Sequence, residues 1–232
     1  MKAPFIIFDG GDGTGKATQA KMTFDQLELV GYKGQVKHID FPQYKENFMG
    51  RILFDCKEGK YGDFSQVLPQ AASLIYAGDR FESKEKIEKW LMEKNIVISD
   101  RYVSANQIHQ GGKIGDPEKR RRFIKWLEDL EYGFLRLPRP DIVIYLDAEV
   151  STALKNIAKR GNADNLEKNR VYLENSRESA LAIAEEDESW VKIKCDKDGH
   201  MLLPEIINKM IMKTLAERKI IPHLVAAADS LA

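Results

Sequence analysis

Short apolar runs alternate with longer amphipathic segments along the 232-residue chain. PFIIFDG (4–10), NIVISD (95–100) and DIVIYLD (141–147) are continuous apolar runs. Such runs suit parallel strands covered on both faces. QVKHIDFP (35–42) and WVKIKCD (190–196) add two more strand candidates. After Lys16, apolar residues at Ala17, Ala20, Phe24 and Leu27 keep a helical period, and Gly31 and Gly34 close that helix. Further helices are predicted over 70–94, 117–132, 149–160, 166–187 and 204–219. Asp116 is the expected cap of the second of these, with Pro117 in its first turn. Alternating strands and helices predict an α/β fold, a doubly wound, five-stranded parallel sheet flanked by helices. No repeat or low-complexity linker divides the chain, so 1–232 reads as one domain. The residues after about 220 read as a mobile tail.

Composition narrows the function. With 43% apolar and 31% charged residues, a sizeable core is expected and global disorder is excluded. Lys and Arg number 36, as do Asp and Glu, so the net charge is zero. That argues against a surface built for a nucleic acid polymer or a membrane. The two cysteines, Cys56 and Cys195, form neither a disulfide framework nor a zinc ribbon. No apolar run is long enough to span a bilayer, and no basic segment with a long apolar core opens the chain. A cytoplasmic protein is the simplest expectation.

The sharpest chemical signal is GGDGTGKAT, comprising Gly10, Gly11, Asp12, Gly13, Thr14, Gly15, Lys16, Ala17 and Thr18. It follows a strand candidate and opens a helix, and Gly10, Gly15 and Lys16 fit the G-x-x-x-x-G-K spacing of a P-loop. Glycines let backbone N–H groups curl round phosphate oxygens, and the helix N-terminus adds positive potential. Lys16 would bring a point charge to the β- and γ-phosphates. A bland alternative is a glycine-rich turn between strand and helix. Ala17 stands where the pattern places a Ser or Thr for Mg²⁺, and Thr18 points about 100° away on a helix. Either the metal is held by phosphates, water and a carboxylate, or metal handling is impaired. Asp100 ends the third strand candidate and is the carboxylate that could hold Mg²⁺, directly or through water. Arg101 beside it offers a fork for a phosphate.

FDGGDGTGKATQ, FPQY (41–44), AGDRFE (77–82) and DRYVSANQIHQGGK (100–113) occur in the order and spacing of thymidylate kinases. LDAEVSTALKNIAKRG (146–161) and CDKDG (195–199) fit as well. The chain resembles that family over residues 3–215, and the DRY to HQGG block is the most specific part. The resemblance implies a P-loop kinase fold with a mobile lid, and transfer of the ATP γ-phosphoryl to dTMP with Mg²⁺. It also implies a homodimer. Carried over position by position, it assigns catalysis to Asp12, Lys16, Arg101 and Arg160. Asp12 is expected at the acceptor sugar, and Arg101 at the dTMP phosphate. Arg80 is expected to reach the monophosphate nucleotide, including its base edge. Tyr76, one turn earlier, is expected to stack on thymine. Asn106 and Gln107 together are expected to read the base, with Gln110 completing the block. His109 occupies a position usually aromatic, near the deoxyribose. Phe41 and Pro42 begin the loop before the monophosphate site.

Three departures from the family pattern stand out: Ala17, Tyr44 where many relatives have arginine, and Asn165 where a lid arginine is common. Arg51 is the candidate substitute for the cation missing at position 44. Gly13 stands where some relatives carry a catalytic arginine, which assigns the transition-state cation to the lid at 155–170. There Arg160 is the main candidate, with Lys155, Lys159 and Arg170 as further cations. The run Lys119 to Arg122 reads as an exposed helix face. Lys16, Arg80, Arg101 and Arg160 gathered at one cleft would hide a local positive excess beneath the neutral sum. Two alternatives are a P-loop kinase for another nucleotide or nucleoside, and a nucleotide-binding homologue that has lost turnover.

Overall fold

The computed structural model describes residues 3–160 and 170–221. Five parallel strands, β1 (Phe5–Gly10), β2 (Val36–Asp40), β3 (Ile96–Asp100), β4 (Ile142–Asp147) and β5 (Trp190–Lys194), form one sheet in the order β2-β3-β1-β4-β5. All five sit within the runs predicted from hydrophobic pattern. β1 is central and buried at every position, because it has a strand on each side and helices on both faces. The alternation of its side chains then divides the core in two. Ile6, Phe8, Ile98, Ile144 and Leu146 face α1 (Lys16–Leu29) and α9 (Pro204–Glu217), packing with Ala20, Leu27, Ile211 and Leu215. Phe5, Ile7, Val97, Val143 and Tyr145 pack instead with Ile87, Ile108, Ala180 and Ile183.

Five further helices follow the predicted pattern or modify it. The expected helix over 70–94 is two, α3 (Pro69–Glu82) and α4 (Lys84–Met92), with Ser83 between them. Ser83 is held there because its Oγ accepts from Asn47 Nδ2 at 2.9 Å. α6 (Pro117–Glu128) has the predicted cap, Asp116 accepting from the Lys119 N–H at 2.8 Å, and continues as a wider π-wound turn over Asp129–Phe134. α7 (Val150–Arg160) and α8 (Arg170–Glu186) flank the lid expected at 155–170, of which 161–169, with Asp164 and Asn165, lie outside the described residues. The tail expected after 220 lies outside them from 222 onward. Among the described residues no helix is long and apolar enough to cross a membrane.

α2 (Phe48–Lys57) was not legible from periodicity. Its place is set by Asp79 on α3, which is buried and accepts from the Gln43 backbone N–H and from Asn47 Nδ2. Lys119 to Arg122 is only partly the expected exposed face. Arg120 is buried, donating to the Ile114 carbonyl and to Glu178.

Gly50 lets α2 lie against the loop that precedes it, since a Cβ there would stand 2.0 Å from the Gln43 carbonyl oxygen. Replacing a helix glycine by alanine ordinarily stabilises by up to about 1 kcal/mol. Here Gly50→Ala is expected to lower the melting temperature, because a backbone oxygen blocks the added methyl. An unchanged or raised melting temperature in thermal denaturation would refute that packing.

Candidate active site

The loop from Gly10 to Gly15 leaves the carboxyl end of the central strand and opens α1. Lys16 curls back across it, its Nζ donating to the Gly11 carbonyl at 2.9 Å and standing 3.4 Å from Asp12 Oδ1. From the end of β3, Arg101 reaches the same oxygen at 2.5 Å. Two sequence-predicted cations, 85 residues apart, thus meet on one sequence-predicted carboxylate. Burial alone would raise the pKa of Asp12, but Arg101 and Lys16 outweigh it and hold the group far below the usual carboxylate range. Arg101 adopts a left-handed backbone, φ 65°, rare for a residue with a Cβ. Its N–H bonds the Phe8 carbonyl at 2.8 Å, and its own carbonyl accepts from Ser99 Oγ. That turn aims the guanidinium back over the loop.

Arg101 has a second partner. Its NH1 donates to His109 Nε2 at 2.5 Å, and the other ring nitrogen faces Tyr172 Oη at 2.9 Å. An arginine can only donate, so Nε2 is the bare nitrogen and Nδ1 carries the hydrogen. Burial first, and the Arg101 charge second, push the His109 pKa down to about 3. Tyr172 also lies parallel to the imidazole, 16° between planes. His109 is therefore a neutral spacer between Arg101 and α8. Tyr172 had no signal in the sequence, standing just past the expected lid.

Gly13 explains the missing loop arginine. Its φ is +83°, and a Cβ there would lie 2.6 Å from the Ala153 carbonyl of α7. Asn156, on the same helix, donates to the Gly13 carbonyl at 2.7 Å. The close approach of α7 leaves no room for a side chain. Arg160 ends α7 one turn beyond Asn156, and its side chain lies outside the described residues. Of the other lid cations, Lys155 is tied to the Gly199 carbonyl, Arg170 to Glu174, and Lys159 is exposed.

Asp100 keeps a buried Oδ1 with no hydrogen-bond partner among the described residues. No group of three or more potential metal-ligating side chains occurs among them. Mg²⁺ is usually held by one or two carboxylates with phosphates and water, so one orphaned carboxylate oxygen suits it. Thr18 is exposed on α1, as is Ala17, so no loop hydroxyl replaces the missing one there. Thr14 Oγ1 is spent on the Gly11 carbonyl. Asp9, buried below the loop, accepts from Gly10 N–H and Ser104 Oγ, and burial raises its pKa.

The residues expected on the monophosphate side are brought together in part. Phe41 packs on Tyr102, Pro42 continues the loop, and Tyr76 lies half-buried beside Phe64. Burial raises the Tyr76 pKa, with Tyr44 adding to it and Arg101 and Arg80 opposing, so all three are its electrostatic neighbours. Four expectations need correction. Arg80, expected to reach the nucleotide and its base edge, is only 2% exposed and spends Nε and NH2 on Glu131 at 2.6 and 2.7 Å, so little of it is free to do so. Asn106 and Gln107 do not act as a pair. Asn106 points to Glu131 at 3.0 Å, whereas Gln107 lines a separate cavity of about 250 Å³ with Ser189 and Trp190. Neighbouring residues on this helical segment point in different directions, which separates them. Arg51 does not replace the cation missing at 44, because it is exposed over the Phe48 ring. The cation at Tyr44 is Lys57, 5.9 Å from the ring centre. The local positive excess is also absent among the described residues, where Lys16 and Arg101 face Asp9, Asp12 and Asp100, and Arg80 is neutralised by Glu131. Gln110 is buried with an unpartnered Oε1.

A histidine whose folded pKa lies below its unfolded value stabilises the fold above the unfolded value and loses that contribution as pH falls. For His109 the window runs from about 6.5 down to about 3. Other groups that titrate between pH 6.5 and 5 are common to the parent and to a His109 variant, so their difference isolates His109, whose slope is up to about 1.4 kcal/mol per pH unit. His109→Gln, which can still accept from Arg101, is expected to flatten melting temperature against pH in that window. Parallel profiles for the two proteins would overturn the assignment.

The thymidylate kinase family model matches residues 8–202. A probable thymidylate kinase of Methanococcus aeolicus is 29% identical over 223 residues, covering 94% of this chain and 98% of that protein. One of Pyrococcus horikoshii is 31% identical, covering 80% and 84%. The solved thymidylate kinase of Candida albicans superposes with a TM-score of 0.73 at 20% identity, covering 94% and 93%, which bears on the fold alone. With a P-loop, a DR arginine turned onto its carboxylate, and the family model matched over most of its length, the chain belongs to the thymidylate kinase family.

Proposed function

We propose that the protein transfers the γ-phosphoryl group of ATP to dTMP, giving dTDP. The observation that carries this reading is the meeting of Lys16 and Arg101 on Asp12. In this reading Lys16 is the donor-phosphate cation and Arg101 the acceptor-phosphate cation, on two sides of one group. Phosphoryl transfer asks little covalent chemistry of a protein; it needs alignment and cancelled charge. The acceptor phosphate, with a second pKa near 6, is already an anion at neutral pH and needs no strong base.

In this reading the backbone of Gly10 to Thr18 cradles the ATP phosphates and Lys16 moves from Gly11 and Asp12 onto them. Arg101 takes the dTMP phosphate, released from Asp12, which turns to the sugar hydroxyl. His109 and Tyr172 keep the arginine from following its partner away. Phe41, Pro42 and Tyr76 enclose the base, and Arg80 and Asn106 meet its edge; Gln110 stays beside them as an unpartnered acceptor. Asp100 would hold Mg²⁺, whose contribution is to neutralise phosphate charge. Arg160 supplies the further cation from the lid. The chain is read as one domain working in the cytoplasm as a homodimer. Leu74 and Phe81 support the dimer: they lie seven residues apart on α3 and are 52% and 48% exposed, an apolar stripe suited to a second copy.

An ADP-release assay with ATP, Mg²⁺ and each deoxynucleoside monophosphate tests the activity, and dTMP is expected to be the preferred acceptor. Turnover with another monophosphate or with thymidine, but not with dTMP, would overturn the reading. Arg101→Ala is expected to raise the dTMP KM about 10- to 100-fold and leave the ATP KM nearly unchanged. Equal rises would remove its assignment. Leu74→Asp is expected to convert a dimer, measured by light scattering, to a monomer. A monomeric parent protein would remove the dimer.

A further inference from the structure

Glu131 is fully buried and took no part in the expectations drawn from sequence. It sits on the π-wound turn that continues α6, a winding often found at functional sites. Its Oε2 accepts from Arg80 Nε at 2.6 Å. Its Oε1 accepts from Arg80 NH2 at 2.7 Å and from Asn106 Nδ2 at 3.0 Å. One carboxylate thereby ties α3 to the π-wound Asn106–Gln110 segment, which follows the short α5 (Val103–Ala105). The remaining contacts complete the pattern. Asn106 Nδ2 also faces the Ser73 carbonyl at 3.3 Å, and Arg80 NH1 donates to the Tyr102 carbonyl at 3.1 Å.

An ionised carboxylate accepts and cannot donate. Asn106 must therefore turn its amino group to Glu131, and Ser73 takes the other hydrogen. Its carbonyl oxygen is what remains to meet a ligand. Arg80 has five N–H groups, of which three are engaged, so what it has left is donors only. We propose that Glu131 is a positioning residue that fixes Asn106 as an acceptor and Arg80 as a donor toward the pyrimidine. This rests on the dTMP reading above and adds what sets its selectivity. Thymine offers a donor at N3 and an acceptor at O4, and cytosine reverses both. A flipped Asn106 amide would accept the reversed pattern; Glu131 forbids the flip.

The test compares dTMP with 5-methyl-dCMP, which keeps the shape and reverses the pattern. Wild-type turnover of dTMP is measured first and decides the dTMP reading by itself. Wild-type protein is expected to favour dTMP over 5-methyl-dCMP in kcat/KM by about 100-fold or more; equal use overturns the proposal whether or not any variant folds. Glu131→Gln keeps size but can donate. It is expected to lower that preference about tenfold or more, with the ATP KM within about twofold of wild type. Glu131→Asp stays acceptor-only and is expected to keep more of the preference than Glu131→Gln, although it packs less well. A packing role gives the opposite order, with Gln tolerated and Asp damaging, and that order overturns the proposal. So does an unchanged preference in both variants, or an equal rise in the KM of both substrates.

Discussion

Two positive groups meet on one partly buried carboxylate, and the rest of the site serves to keep them there. Lys16 and Arg101 would repel each other if Asp12 did not stand between them. Taking three charges out of water is costly, and the cost is offset only by good geometry. Each member is accordingly fixed from behind. Lys16 is bound to the loop backbone, Arg101 to His109, and the loop itself to α7 through Asn156. In the proposed reaction, nucleotide phosphates would replace Asp12 as the partner of both cations, because they would bring the same charge to the same place.

The second buried pair, Arg80 with Glu131, follows a different logic. It is fully buried, away from Lys16 and Arg101, and its two charges are matched to each other. Such a pair is weak evidence for stability, since an apolar replacement is often as good. Its value lies in direction: it aligns donors and acceptors that would otherwise rotate. The neutral composition of the whole chain is thus repeated at the site, where cations are balanced by carboxylates rather than gathered in excess.

The strands, the order of the helices and the phosphate loop were legible because each rests on local pattern. A continuous apolar run and a glycine-rich turn carry their meaning within ten residues or so. α2 escaped because its placement depends on Asp79 and Asn47, more than thirty residues apart. Glu131 and Tyr172 escaped for the same reason: a glutamate within EDLEYG or a tyrosine in a helix looks ordinary until its partner is known. Arg80 was correctly singled out, yet its facing could not be read, since a guanidinium turns on four bonds and its partner lies 51 residues away.

By itself, the sequence determined the doubly wound sheet, the P-loop and the residues that carry charge to it: Asp12, Lys16, Asp100 and Arg101. Periodicity and spacing suffice for the sheet, the loop, Lys16, Asp100 and Arg101, because each rests on near neighbours; Asp12 was assigned by the resemblance to thymidylate kinases. Only the tertiary structure decided which of those charges are free and which are spent. It bent Arg101 back onto Asp12, silenced His109 as a neutral spacer, closed Gly13 against α7 and turned Asn106 and Gln107 apart. The reason is that hydrogen bonds and ion pairs between buried side chains depend on direction at the scale of an ångström. That direction is set by elements which meet only after the chain has folded.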